Sequence, residues 1–272
     1  MPISDSAIRS LTGLDLPPVI GHRGAAGMAP ENTLAALRRA HALGCRWVEF
    51  DVRLTSDGAL ILLHDDRLER TTNGCGIARA LSLSAIRRFD AGSWFDPVFA
   101  GERVPTLAEV IVVLSELGLG ANVELKPDRG DAIETGIVAA DALARLWPAH
   151  LPVPLISSFV PDTIEAVQQR APAIPRSLLL RSPTSKRWRG AGVLGCVTVN
   201  VDHRHLHPAV VAEMRKAGYS VLAYTVNSEV RARELFKWGV SSVFSDVPQM
   251  ISPPLPVGPS RPEKPPLLRL PS

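Results

Sequence analysis

Cysteine, aromatic residues and an excess of either charge are all scarce in this chain. Its three cysteines, Cys45, Cys75 and Cys196, are widely spaced and form no CxxC pair, which disfavours a disulfide framework and fits reduced thiols in a cytoplasm. No apolar run approaches the roughly eighteen residues that a membrane-spanning helix needs. The opening Met1-Pro2-Ile3-Ser4-Asp5 carries an acid and leads into no apolar core of signal length, so a soluble cytoplasmic protein is expected. Lys and Arg number 30 against 27 Asp and Glu, and of that formal +3 two units come from Arg261, Lys264 and Arg269 against Glu263 near the end. The body is therefore close to neutral, and the charge balance is no sign of nucleic-acid binding.

What is present is apolar mass: 46% of 272 residues, enough for one large core. The chain is organised around Trp47 to Asp66. Trp47 to Leu54 alternates as a strand does, so Glu49 and Asp51 project from one face while Val48, Phe50 and Val52 take the other. Two carboxylates held that close repel each other, and both stay ionised at neutral pH only with a cation or strong donors between them. The pair reads as half of a hard-metal site. After the turn Ser56-Asp57-Gly58, the apolar run Ala59 to Leu63 forms a further strand and delivers His64, a side chain suited to proton transfer, near the carboxylates.

A short apolar strand, Pro17 to Gly21, ends in Gly21-His22-Arg23-Gly24, and Ala29 to Thr33 opens a helix that stops at Gly44. From about residue 67 to 103 the periodicity breaks, as in an excursion on the functional face that could form a lid. Thr106 to Glu109 has the pattern of a capping box. Strands then fit Asn122–Lys126, Leu155–Phe159, Arg176–Leu180, Val197–Val201, Val221–Val226 and Ser242–Ser245. Helices fit Ala132–Trp147, Pro161–Arg170, Pro208–Ala217 and Glu229–Trp238, while Arg181 to Gly192 shows no clear helical face. Eight strands alternating with helices predict a parallel sheet closed into a (β/α)8 TIM barrel, one domain over residues 1–251 with the insertion after its second strand. Residues 252–272 hold eight of the 24 prolines and are expected to be a disordered tail.

In such a barrel the C-terminal strand ends share one mouth. His22, Glu49, Asp51, His64, Glu124 and Lys126 would all meet there, a combination suited to a metal-bound anion with an acid and a base beside it. Each group alone also has a plainer reading: a hydrogen-bonded structural histidine, an ion pair between Glu124 and Lys126, a solvated acidic edge. Their coincidence at strand ends favours chemistry. His203, His205 and His207 alternate after the sixth barrel strand but lack matching partners, and are expected to be a solvated loop, with His205 or His207 open to touch substrate at the mouth.

His22-Arg23-Gly24, Pro30-Glu31-Asn32-Thr33, Val48 to Val52, Leu63-His64-Asp65, Val123 to Lys126, Ser157-Ser158-Phe159 and Tyr224 to Asn227 together resemble the motif series of the glycerophosphodiester phosphodiesterases of bacterial cytoplasmic type, over about Val19 to Pro248. The resemblance implies a TIM barrel, one divalent cation, and hydrolysis of small glycerophosphodiesters to glycerol 3-phosphate and an alcohol. It implies Glu49, Asp51 and Glu124 as metal ligands and His22 and His64 as acid and base. Arg23 and Lys126 would bind phosphate, and Phe159 and Tyr224 would contact substrate; Tyr224 stands where the family commonly has tryptophan. All-oxygen ligation predicts Mg2+ or Ca2+, with Mn2+ able to substitute. The nucleophile is open between water and the neighbouring glycerol hydroxyl, and so is the division of roles between the histidines. The rivals are a phospholipase C- or D-like lyase on intact lipids and a non-catalytic phosphate-ester-binding barrel. The insertion offers only Trp94, Phe95 and Phe99 as a membrane-facing set, with no Lys/Arg cluster, so stable membrane association is not expected.

Overall fold

Nine strands make one sheet in the computed structural model, which describes residues 14–183 and 187–253. Most of the lead-in before residue 17 and nearly all of the expected tail lie outside the described residues. The strands are β1 (Val19–Gly21), β2 (Trp47–Leu54), β3 (Leu60–Leu62), β4 (Gly120–Leu125), β5 (Leu155–Ser158), β6 (Arg176–Leu180), β7 (Thr198–Asp202), β8 (Ser220–Tyr224) and β9 (Ser242–Ser245). Each barrel strand runs parallel to its neighbours, and β1 pairs with both β2 and β9, which closes the ring. β3 alone stands outside it, antiparallel to β2. All eight expected barrel strands are present, shifted by one or two residues at some ends.

The helices between strands are α1 (Leu34–Ala42), the single turn α2 (Leu83–Ile86), α3 (Leu107–Leu117), α4 (Ala132–Leu146), α5 (Pro161–Arg170), the single turn α6 (Arg187–Gly190), α7 (Pro208–Lys216) and α8 (Glu229–Trp238). Their limits follow local chemistry. Thr33 caps α1 by accepting from the Ala36 amide, Thr106 and Glu109 form the reciprocal capping box on α3, and Gly118 ends α3 in the left-handed conformation at φ 67°. No helix among the described residues is long and apolar enough to cross a membrane.

The alternation read in β2 divides the core in two. Val48, Phe50 and Val52 face outward and pack with helix residues such as Leu37, Leu107 and Leu114. Trp47 faces inward and shares the barrel's base with Leu14, Ile20, Leu155, Leu222 and Phe244. Glu49, Asp51 and Arg53 continue that inward row toward the mouth. The register pairs Glu49 with Asn122 and Asp51 with Glu124, so acids from β2 and β4 lie side by side.

The excursion at residues 67–103 has its own apolar centre, in which Leu68, Ala78, Ile86 and Ala91 pack on Ile61, Leu63 and Val104. Asp90 organises its far end by accepting from the amides of Gly92, Ser93 and Gly101. It is a packed appendage of the β2–β3 hairpin rather than a loose loop.

Candidate active site

The mouth begins at the tight turn after β1. A Cβ on Gly21 would meet the Gly24 carbonyl oxygen at 2.2 Å, and Gly24 packs its backbone on Ala36 at φ 85°. Arg23 between them is held at φ 50°, a conformation that a non-glycine residue seldom adopts. The turn aims His22 and Arg23 over the acids. His22 Nδ1 lies 2.6 Å from Asp246 Oδ1, and its Nε2 is 3.8 Å from Glu49 Oε2. Arg23 binds Glu31 at 2.7 Å, and its Nε lies 3.3 Å from Asp51 Oδ2.

Glu49, Asp51 and Glu124 are buried and offer carboxylate oxygens that all lie within 4.8 Å of one another, the sole cluster of its kind among the described residues. Burial and the Asp51 charge push the Glu49 carboxyl up to about 8, and the same two causes raise Glu124. Asp51 is held well below the usual carboxylate range, because Arg23 and Lys126 outweigh its burial. Lys126 Nζ sits 2.9 Å from Glu124 and 3.6 Å from Asp51. Glu49 Oε1 is buried with no hydrogen-bond partner. A buried carboxyl oxygen without a partner, beside two more carboxyl groups, is a donor set that suits a hard cation.

His64 reaches the mouth at the end of the β3 hairpin, and its Nδ1 lies 2.6 Å from Asp65. Both histidines are thus gripped at Nδ1 by a carboxylate, so that Nε2 is the nitrogen not taken up by that contact. Their environments differ. Burial alone would lower His22, but Asp246 and Glu49 more than offset it and the net shift is upward. Burial also lowers His64, and there Arg23 and Lys126 reinforce it against Asp51, so the net shift is downward.

His22, Arg23, Glu49, His64, Glu124 and Lys126 line one cavity of about 780 Å³. Its floor includes Asn122 and Asn200, and its far wall Phe159 and Tyr224, whose rings meet edge to face at 5.9 Å. Eight of the nine site residues read from the sequence line this mouth, and Asp51, buried behind them, lies 3.3 Å from Arg23 Nε and 3.6 Å from Lys126 Nζ. Of the three alternating histidines, His203 lines the cavity, and not His205 or His207. It is half-buried, accepting at Nδ1 from Arg231.

Several supporting residues were not singled out from sequence. Asp246, just past β9, orients His22. Arg53, next on the inward row after Asp51, donates to the carbonyls of His64 and Lys126. Asn32 donates to Asp51 Oδ2 at 2.8 Å and accepts from the Asp51 amide. Arg70, from the insertion, binds Asp65 and Glu31 together. The alternation of β2 marks Arg53, but nothing local marks the others' partners.

Comparison with known proteins agrees with this geometry. The model of the Glycerophosphoryl diester phosphodiesterase family matches residues 22–250. A glycerophosphodiester phosphodiesterase of Bacillus subtilis is 32% identical over 266 residues, covering 92% of this chain and 90% of that protein. One from Caldanaerobacter subterraneus subsp. tengcongensis is 33% identical over 86% of this chain and 95% of its own. Among solved structures, an Oleispira antarctica phosphodiesterase in complex with the product sn-glycerol-3-phosphate superposes with a TM-score of 0.84 at 40% identity, covering 87% of this chain and 95% of that one.

Proposed function

The chain belongs to the glycerophosphoryl diester phosphodiesterase family, and on that premise we propose a metal-assisted, two-histidine hydrolysis of small glycerophosphodiesters that yields glycerol 3-phosphate and an alcohol. The observation that carries it is the gathering of three buried carboxylates between two histidines, each gripped by its own acid. The Oleispira phosphodiesterase, whose structure is in complex with the product sn-glycerol-3-phosphate, supports the same product here.

Glu49, Asp51 and Glu124 would hold one divalent cation, and the unpartnered Glu49 Oε1 fits that role. Mg2+ or Ca2+, with Mn2+ as substitute, would supply Lewis-acid neutralisation of the phosphate's non-bridging oxygens. Arg23 and Lys126 add fixed positive charge beside the same oxygens. His64, whose pKa burial, Arg23 and Lys126 lower, would take the proton of the nucleophile as its oxygen bonds to phosphorus, whether that is water directly or the neighbouring glycerol hydroxyl followed by water opening the cyclic phosphate. His22, whose pKa Asp246 and Glu49 raise against its burial, would give one to the departing alkoxide as the ester P–O bond breaks. Phe159 and Tyr224 wall the space for that alcohol.

The test is turnover of glycerophosphocholine with cation saturating. Chelation should abolish it and Mg2+ or Ca2+ restore it, whereas a pure binding protein shows no turnover to lose. His64→Ala should fall by roughly 10²–10⁴. Near wild-type turnover in that variant would overturn the histidine scheme, and full activity in chelator would overturn the cation.

A further inference from the structure

The cations that line the mouth are accounted for by carboxylates, with one exception. Arg23 is paired with Glu31, Arg53 with Asp128, Lys126 with Glu124 and Arg204 with Asp202. Arg181 has no carboxylate partner among the described residues, yet it lines the same cavity as His22 and Lys126. It follows Leu180, the last residue of β6, and so stands on the lip of the mouth on the Phe159 side.

Two contacts locate it. The Tyr224 hydroxyl donates to the Leu180 carbonyl at 2.9 Å, which pins the backbone just before it. Its guanidinium carbon lies 5.9 Å from the centre of the Phe159 ring, and Lys126 Nζ lies 5.8 Å from the same centre. Phe159 is therefore already engaged by two cations, and its ring is poorly placed to receive a quaternary ammonium as well. The far wall presents an unneutralised positive charge to whatever alcohol lies against it.

We propose that Arg181 is a specificity-determining residue that reads a negatively charged group, a carboxylate or phosphate, on the departing alcohol. The proposal rests on the hydrolase reading above and names the substrate class it favours. A cationic alcohol meets repulsion from Arg181, and an anionic one gains a charge-assisted hydrogen bond from a planar donor fork. The side chain is exposed, so the discrimination is modest and falls with salt.

Glycerophosphoserine and glycerophosphoethanolamine differ by one carboxylate on the leaving alcohol, which makes them the matched probes. With saturating cation and low ionic strength, wild-type kcat/KM should favour the serine diester by about three- to fivefold, the range open to an exposed charge pair. The preference should shrink as salt rises, vanish in Arg181→Gln and reverse in Arg181→Glu. A serine-to-ethanolamine ratio that is the same in the wild type and Arg181→Glu would overturn the assignment of Arg181 while leaving the hydrolase reading intact. A wild type that cleaves neither diester, nor glycerophosphocholine, would overturn that reading and this inference with it.

Discussion

His22 and His64 are the same side chain under opposite pressures. Both lose solvation, but the anions nearest His22 raise its pKa, whereas Arg23 and Lys126 help burial to lower that of His64. The consequence is a pH profile with assigned limbs. Activity should fail on the acid side as His64 gains a proton below the ordinary histidine value of about 6.5, and on the alkaline side as His22 loses its own above it. Asp246→Asn removes the carboxylate on His22 Nδ1 without changing the shape of the contact. The alkaline limb should then move to lower pH and kcat fall by at least about tenfold, since general acid catalysis contributes roughly 10²–10⁴ in all. A pH–rate series on this variant checks it; an alkaline limb left in place would mean that another group sets it.

At the scale of elements, the barrel strands and the β3 hairpin were legible because each carries its period locally. Val48, Phe50 and Val52 mark one face of β2 and Glu49, Asp51 and Arg53 the other, and Pro161 and Arg170 bound α5 where the sequence suggested. Partnerships were not legible, because ring closure makes them. His22 and Asp246 are 224 residues apart and meet because β1 lies against β9. The insertion shows the same limit: its lack of period suggested a loop or lid, while its apolar residues pack into a centre of their own beside the hairpin. Its contact with the site is Arg70, whose guanidinium bridges Asp65 behind His64 and Glu31 behind Arg23. Arg70→Ala should lower kcat by about tenfold and raise KM, because misplacement of catalytic groups is costly even at small displacement. Arg70→Lys should recover little, since an ammonium cannot bridge two carboxylates in one plane. The melting temperature should hardly move, as the side chain is 44% exposed. Kinetics within about twofold of wild type would reduce the contact to a surface ion pair of the usual weak kind.

For the whole molecule, the closed ring confines like charges inside a wall that no rearrangement of one strand can relieve. Without a cation the native state holds protons that the unfolded chain releases, because Glu49 (at about 8), Glu124 and His22 all have raised pKa values. A fold that binds more protons than the unfolded chain loses stability as pH rises through that window. His64, shifted the other way, offsets part of the loss near its ordinary pKa, and Asp51, shifted down, acts only under strongly acid conditions. In chelator the melting temperature should therefore fall between pH 5.5 and pH 8. Mg2+ or Ca2+ competes with those same protons, so it should bind more tightly at the higher pH. At a hundred times its Kd a cation adds about 2.7 kcal/mol, and in a chain of this size each kcal/mol is worth about 2–4 °C. Melting curves at both pH values, with chelator and with cation, should show a larger rise at pH 8 than at pH 5.5. An equal rise at both would mean that the bound ion does not displace the protons of Glu49 and Glu124, and that the three acids do not share it.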